Sequence, residues 1–333
     1  MISSVFIVGC GDIGERVAQL WQTRGVTVSG LARSAANRMR LEAKGVTAIP
    51  GDLDDVRSLI TLPTHNALIY YFAPPPEGSS ADPRIEHFLD AISPDPTHEP
   101  AAEGRADSPS PLAGEGGPKG RMRERPPGST PFTTIGTGRS LPHKIVYLST
   151  SGVYGDHQGG WVNEDTPPNP RTPRAKARLA AETALLNWGQ IKKIPVVILR
   201  VGGIYGPGRL PIERIKQGQP VVRTEEAPYT NRIHADDLAR VCVTAAERGA
   251  NRRIYNVCDG EYSTMSDYFN AVADRLGLPR PPQISLAEAQ RTLSPEMLSY
   301  LNESRRMDNR RIREELGVTF LYPTLEAGLA ASL

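Results

Sequence analysis

The chain has 333 residues, long enough to bury a full α/β core and a smaller lobe, which excludes a chain that is disordered throughout. Its 39 basic residues are matched by 37 acidic ones and interspersed with them, so it lacks the basic stripe of a nucleic-acid binder. No run approaches the roughly 18 apolar residues needed to cross a bilayer, and no charged segment precedes the short apolar start. Cys10, Cys242 and Cys258 show neither CxxC spacing nor an even-numbered disulfide framework, which suits a reducing compartment. The expectation is a cytoplasmic protein with a small-molecule substrate, no nucleic-acid or membrane partner and no metal; a homodimer is left open.

The first apolar run, Val5 to Val8, breaks into Gly9-Cys10-Gly11-Asp12-Ile13-Gly14 and continues as Glu15 to Trp21, which predicts a buried strand, a glycine turn and a helix. Gly9 makes the tight turn, Gly11 lets a pyrophosphate approach the backbone, and Gly14 lets helix and strand pack closely. The phosphates then rest on exposed amides at the helix start, so Gly9, Gly11, Asp12, Ile13 and Gly14 are candidate cofactor contacts. Cys10 serves as a small turn residue, with a redox-sensitive thiol as the alternative.

A second strand follows at Val26 to Ala32, a helix at Ala35 to Ala43 and a short strand at Val46 to Pro50. The run Ala67 to Ala73 is too continuous for a one-sided strand and suits the centre of a parallel sheet. After a helix at Arg84 to Ile92 the texture changes: residues 94–142 hold ten prolines and eight glycines with no sustained period, a composition that cannot offset its ordering entropy. This segment is expected to be a disordered insertion, because removing it joins the helix to a strand at Lys144 to Leu148. A helix at Thr172 to Trp188 and strands at Pro195 to Arg200 and Ile254 to Val257 complete the alternation. The predicted fold class is α/β, a doubly wound parallel sheet (Rossmann) with a smaller C-terminal lobe. Residues 1–204 form the dinucleotide-binding domain and 205–333 the substrate lobe, with 233–258 returning to the sheet.

Ser149-Thr150-Ser151-Gly152-Val153-Tyr154-Gly155 follows a predicted strand. Leu199-Arg200-Val201-Gly202-Gly203-Ile204-Tyr205-Gly206-Pro207-Gly208, Asn231 to Leu238 and Tyr255-Asn256-Val257-Cys258-Asp259-Gly260 come later in order. With these motifs the chain resembles the extended short-chain dehydrogenase/reductase family, which includes nucleotide-sugar epimerases and dehydratases. The resemblance implies that Thr150 is the hydroxyl that hydrogen-bonds the substrate oxygen, an electrostatic role, although a hydroxyl there can equally satisfy backbone groups at a strand end. It also implies that Asp52 and Leu53 flank the adenine, Ala73 and Pro74 the ribose-phosphate, and Gly202 to Tyr205, including Gly203, the nicotinamide end. Asp52 serves equally well as a helix cap. Val8 stands where the family has its first glycine, which changes the turn but keeps Gly11 and Gly14.

The family places a tyrosine and a lysine four residues apart on the following helix. Aligned on Leu179-Ala180-Ala181-Glu182, those positions hold Arg174 and Arg178. Arginine does not act as acid or base near neutrality, so the proton-transfer group is missing and the chain resembles the family's tyrosine-lacking, atypical branch. Both arginines are suited to an anionic group, or else lie on a solvated helix face beside Arg171 and Glu182. Tyr154 and Tyr205 are the phenols available as replacements.

At the end of the second strand Ala32-Arg33-Ser34 stands where an NAD-preferring fold carries an acidic residue. Arg33 and Ser34 suit a 2′-phosphate, so NADP is expected over NAD. The expected function is an NAD(P)-binding oxidoreductase or epimerase/dehydratase-like enzyme acting on a small polar or nucleotide-linked substrate. The alternative is a catalytically silent module that senses NADP(H).

Overall fold

The computed structural model describes residues 2–93 and 141–333. The expected disordered insertion therefore falls, over 94–140, outside the described residues. Its last two positions belong to the folded chain: Leu141 packs half-buried against the core, and its carbonyl accepts the Asn66 N–H at 3.1 Å.

Strand β1 (Ser4–Val8) leads through the glycine turn into α1 (Asp12–Gln22). β2 (Thr27–Ala32), α2 (Ala35–Glu42), β3 (Thr47–Pro50), β4 (Leu68–Tyr71) and α3 (Pro83–Ile92) follow. The second described segment opens with β5 (Lys144–Thr150) and α4 (Pro173–Lys192), then β6 (Val196–Val201) and β7 (Gly203–Tyr205). The remaining main elements are α5 (Ile212–Lys216), β8 (Arg232–His234), α6 (Ala235–Arg248), β9 (Arg253–Val257), α7 (Met265–Leu276), α8 (Leu286–Thr292), α9 (Pro295–Leu301), α10 (Arg310–Leu316) and α11 (Leu325–Ala330).

Seven strands form one parallel sheet in the order β9-β6-β5-β4-β1-β2-β3. Because side chains alternate along a strand, β1 sends Val5 and Ile7 to one face and Phe6 and Val8 to the other, and all four are buried. The first face is covered by α1, α6 and α10, through Val17, Leu238 and Ile312 among others. The second is covered by α3 and α4, through Phe88 and Leu185. Burial on both faces explains why the central strands read as continuous apolar runs. A separate core of Tyr205, Ile215, Val221, Phe269, Val272, Leu325 and Leu329 holds the smaller lobe. Residues beyond 205 are not all in that lobe: α6, β9 and α10 pack on the sheet, because Ile312 and Leu316 complete its first face. Among the described residues no helix is long and apolar enough to cross a membrane.

Two sets of buried charges tie the layers. Lys144 at the start of β5 donates to the carbonyls of Ala246 and Gly249 at 2.7 and 3.0 Å, where the end of α6 attracts a cation. Glu182 of α4 meets Arg200 of β6 at 2.7 Å and accepts a hydrogen bond from Ser149 of β5, with both charged side chains at most 3 % exposed. Glu182 thus lies in the core rather than on a solvated helix face. The ring of Tyr154 lies 4.8 Å from the Arg200 guanidinium carbon and extends this cluster.

Glu182→Ala leaves the Arg200 charge buried without its partner and should cost about 3–5 kcal/mol, read by chemical denaturation. Burial pushes the carboxyl of Asp259, just after β9, from 3.8 up to about 7. Between those values the folded chain holds a proton that the unfolded chain has released, so this group's contribution is full below about pH 4 and lost as pH rises through about 7. Asp259→Asn should flatten that fall in denaturation midpoints measured from pH 4 to pH 8.

Candidate cofactor and substrate site

The strand order reverses between β1 and β4, and the chain there is shaped by a backbone contact. Gly9 has φ +87°, and a β-carbon on it would sit 2.4 Å from the Ala73 nitrogen, so only glycine fits. A β-carbon on Gly14 would lie 3.2 Å from Cys10 Sγ and Ile7 Cγ2, which reflects the close approach of α1 to β1. At Gly11 the same atom would meet nothing within 4 Å among the described residues. Gly11 caps α1 without a side-chain hydrogen bond, so the first amides of the helix, including those of Asp12 and Ile13, are left for a ligand. An open cradle over uncapped amides fits the pyrophosphate of a dinucleotide.

Asp12 is half-buried between two arginines: Oδ1 accepts from Arg16 Nε at 2.8 Å and Oδ2 from Arg209 Nε at 2.6 Å. Burial opposes its ionisation, but the two guanidiniums outweigh burial and hold the carboxyl below its usual range. Burial pushes the Cys10 thiol up to about 11, against the weaker pull of Arg40 and Lys44, so it is no redox-sensitive thiolate.

At the end of β2, Arg33 is exposed, whereas the Ser34 hydroxyl accepts the Asn37 N–H and caps α2. Asp52 accepts the Asp54 N–H, and Asp55, not Asp52, caps the short 3-10 turn at Val56–Leu59. Leu53 is buried in the second core. Ala73 is buried against the glycine turn, and Gly203 borders the cleft described next.

A cleft of about 630 Å³ runs between the sheet's carboxyl edge and the smaller lobe. Thr150 at the end of β5 lines it, and its Oγ1 accepts the Gly152 N–H at 3.2 Å, leaving the hydroxyl hydrogen for a ligand. Arg174 and Arg178 both line it from α4, so these positions face the cleft, while Lys176 between them does not. Arg178 Nη1 donates to the carbonyls of Leu148 and Ala73 at 2.9 and 3.1 Å and to the Tyr147 hydroxyl at 3.1 Å, bracing the ends of β4 and β5.

Neither replacement phenol is presented to this space. Tyr154 is fully buried beside Val153, Val162 and Met307; its hydroxyl donates to Asn256 Oδ1 at 2.7 Å, and burial pushes it up to about 12. The Tyr205 ring borders the cleft, but its hydroxyl is packed on Gly328, where a β-carbon would lie 2.0 Å away. Packing has directed both nearby phenols elsewhere.

Sequence reasoning missed four further arginines of the cleft, Arg209, Arg214, Arg232 and Arg305, together with Glu303. Arg232 is buried against the Tyr268 ring at 4.6 Å, and Arg214 lies 4.9 Å from Phe269. Arg305 donates to Glu303 Oε2 at 2.8 Å, to the Gly155 carbonyl at 2.6 Å and to Ser151 Oγ at 3.4 Å. Glu303 Oε1 and Arg305 Nε are buried with no hydrogen-bond partner among the described residues. These residues come from loops, a helix and the strand β8, far apart in the chain, and no spacing marks them. A second hollow of about 980 Å³ beyond β9, lined by Trp161, Tyr262 and Asp308, touches neither the glycine turn nor Thr150.

The sheet and the glycine turn define a Rossmann-type fold, with Thr150 at the sheet's carboxyl edge. Residues 136–258 match the model of the NAD dependent epimerase/dehydratase family. It is 30 % identical to Protein YeeZ of Escherichia coli K12 over 180 residues, and the match spans 54 % of this chain and 59 % of that protein, less than two thirds of its length. Over 99 % of this chain and 97 % of the other, it superposes with a TM-score of 0.74 and 26 % identity on a functionally unknown conserved protein from Silicibacter pomeroyi. It shares the fold of MoeE5, solved in complex with UDP-glucose and NAD, at a TM-score of 0.66 and 20 % identity over 99 % and 97 % of the two chains.

Gly9→Ala and Gly11→Ala should separate folding from binding. The first forces a β-carbon into Ala73 at positive φ and should lose more than about 1 kcal/mol in urea titrations. The second meets no protein atom and should leave stability within about 0.5 kcal/mol while abolishing calorimetric binding of NADPH and NADH.

Proposed function

We propose that the chain is an NAD(P)-dependent enzyme of epimerase, dehydratase or reductase type acting on an anionic, nucleotide-linked or similarly polar small molecule. The observation that carries this reading is a cleft lined by Thr150 and six arginines against one carboxylate, Glu303, one of whose arginines, Arg209, reaches Asp12 beside the open Gly11 cradle. A bound dinucleotide would supply hydride exchange at its nicotinamide ring. Thr150 would donate to a substrate oxygen on which charge develops, and Arg174 would help to hold the anionic part of the substrate. Arg178 contributes chiefly by fixing the Leu148 and Ala73 carbonyls, because its Nη1 is directed at protein acceptors.

We take NADP as the preferred cofactor. The support is Arg33, exposed at the end of β2 with no acidic residue beside it in the sequence; Ser34 adds less, since its hydroxyl caps α2. Three buried, unpaired cysteines suit the reducing cytoplasm.

Arg33→Ala should weaken NADPH about ten-fold in calorimetry, the order expected of one charge-assisted contact, and leave NADH unchanged. Hydride transfer should appear as a change in NADPH absorbance with at least one member of a panel of sugar nucleotides and their keto derivatives, and should fall about 10²-fold in Thr150→Val. Tight NADPH binding with no turnover across the panel would overturn the enzymatic reading in favour of a nucleotide sensor.

A further inference from the structure

We propose that Arg209, pinned by Asp12, grips the dinucleotide's pyrophosphate from the cleft side of the glycine turn. This rests on the cofactor reading above and adds to it a residue from outside the glycine fingerprint, on the far side of the cleft mouth.

The argument begins with an electrostatic oddity. Asp12 is the first residue of α1, directly at the amides that would receive a pyrophosphate, and an unneutralised carboxylate there would repel a ligand of the same sign. Its two oxygens are instead taken up by two cations. Arg16 uses Nε for Asp12 and Nη1 for Asp236 at the start of α6, so it is committed on both sides to tying α1 to α6. Arg209 uses Nε alone. Both of its Nη groups lack a protein partner among the described residues, and its side chain is 34 % exposed.

The loop that carries Arg209 is built to reach this spot. It leaves β7 through Gly206 at φ +142° and Gly208 at φ +73°, and the Arg209 N–H closes a turn on the Gly206 carbonyl at 3.0 Å. Arg209 thus lines the cleft while its guanidinium spans to the start of α1. Holding Nε fixes the plane of the guanidinium and turns four unpaired N–H bonds toward neighbouring space. A planar fork suits the paired oxygens of a diphosphate, and prior fixation by Asp12 reduces the rotamer entropy lost on binding. An exposed ion pair serving stability alone is worth about 0–1 kcal/mol and gives no reason to bridge these two segments.

Topology selects the pyrophosphate over a 2′-phosphate. The 2′-phosphate position is beside Arg33 at the end of β2, on one side of β1, whereas Arg209 arrives from the continuation of β6, on the other side beyond β4 and β5. At the start of α1 the two directions meet only at the pyrophosphate.

Calorimetric titration of wild type, Arg209→Gln and Arg209→Lys with NADPH, NADH and ADP-ribose tests this, with thermal midpoints recorded without nucleotide. Arg209→Gln should bind all three at least ten-fold more weakly, by the same factor for each, with an unchanged midpoint; Arg209→Lys, which keeps the charge but not the fork, should fall between. A loss confined to NADPH would assign Arg209 to the 2′-phosphate and overturn the proposal. Unchanged affinities for all three in a wild type that binds would leave Arg209 to the substrate or to stability and overturn it equally. A wild type that binds none of the three would instead overturn the cofactor reading itself.

Discussion

The contact between the backbones of Gly9 and Ala73 is the constraint on which the site depends. Because no β-carbon intervenes, the end of β1 lies directly against the exit of β4, and α1 starts with its amides facing the sheet's carboxyl edge. The Ala73 carbonyl in turn receives Arg178, which also holds the Leu148 carbonyl of β5 two residues before Thr150. One steric exclusion and one guanidinium therefore connect the turn, β4, β5 and the candidate catalytic hydroxyl. The buried Arg200 and Glu182 pair with Ser149 does the same from below, fastening α4 to the strands it covers.

That arrangement depends on Arg178 being an arginine. A lysine there would present one mobile ammonium, whereas arginine offers a planar donor set that can be saturated by fixed carbonyls. Arg178 has become a brace for the cleft floor, while Arg174, one turn earlier on the same face, lines the opening. The cleft as a whole concentrates positive charge, six arginines against the carboxylate of Glu303.

The fold was largely legible because parallel strands buried on both faces must be apolar throughout, and the run from Ala67 and the segment from Lys144 state this directly. Boundaries moved by one to four residues; α4, for example, extends past Trp188 to Lys192, since its last turn is closed by a left-handed Lys193 rather than by glycine. Readings failed where a polar side chain has a partner distant in the chain. The solvated face offered as one alternative for Glu182 is such a case, because no sequence rule pairs it with Arg200. Tyr154 was a plausible phenol until packing buried it against Arg200 and Asn256.

Local chemistry, then, is what the sequence determined by itself: a glycine turn between an apolar strand and a helix, a hydroxyl run after the fifth strand, and two arginines four residues apart, Arg174 and Arg178. These follow from short-range sterics and from residue identity. Only the tertiary structure decided that six arginines, separated by up to 131 positions from Arg174 to Arg305, line one cleft, and that Asp12 and Arg209 meet across its mouth. A near-neutral composition conceals such a concentration of charge, because the electrostatic field of a site depends on distances in space, which separations along the chain do not report.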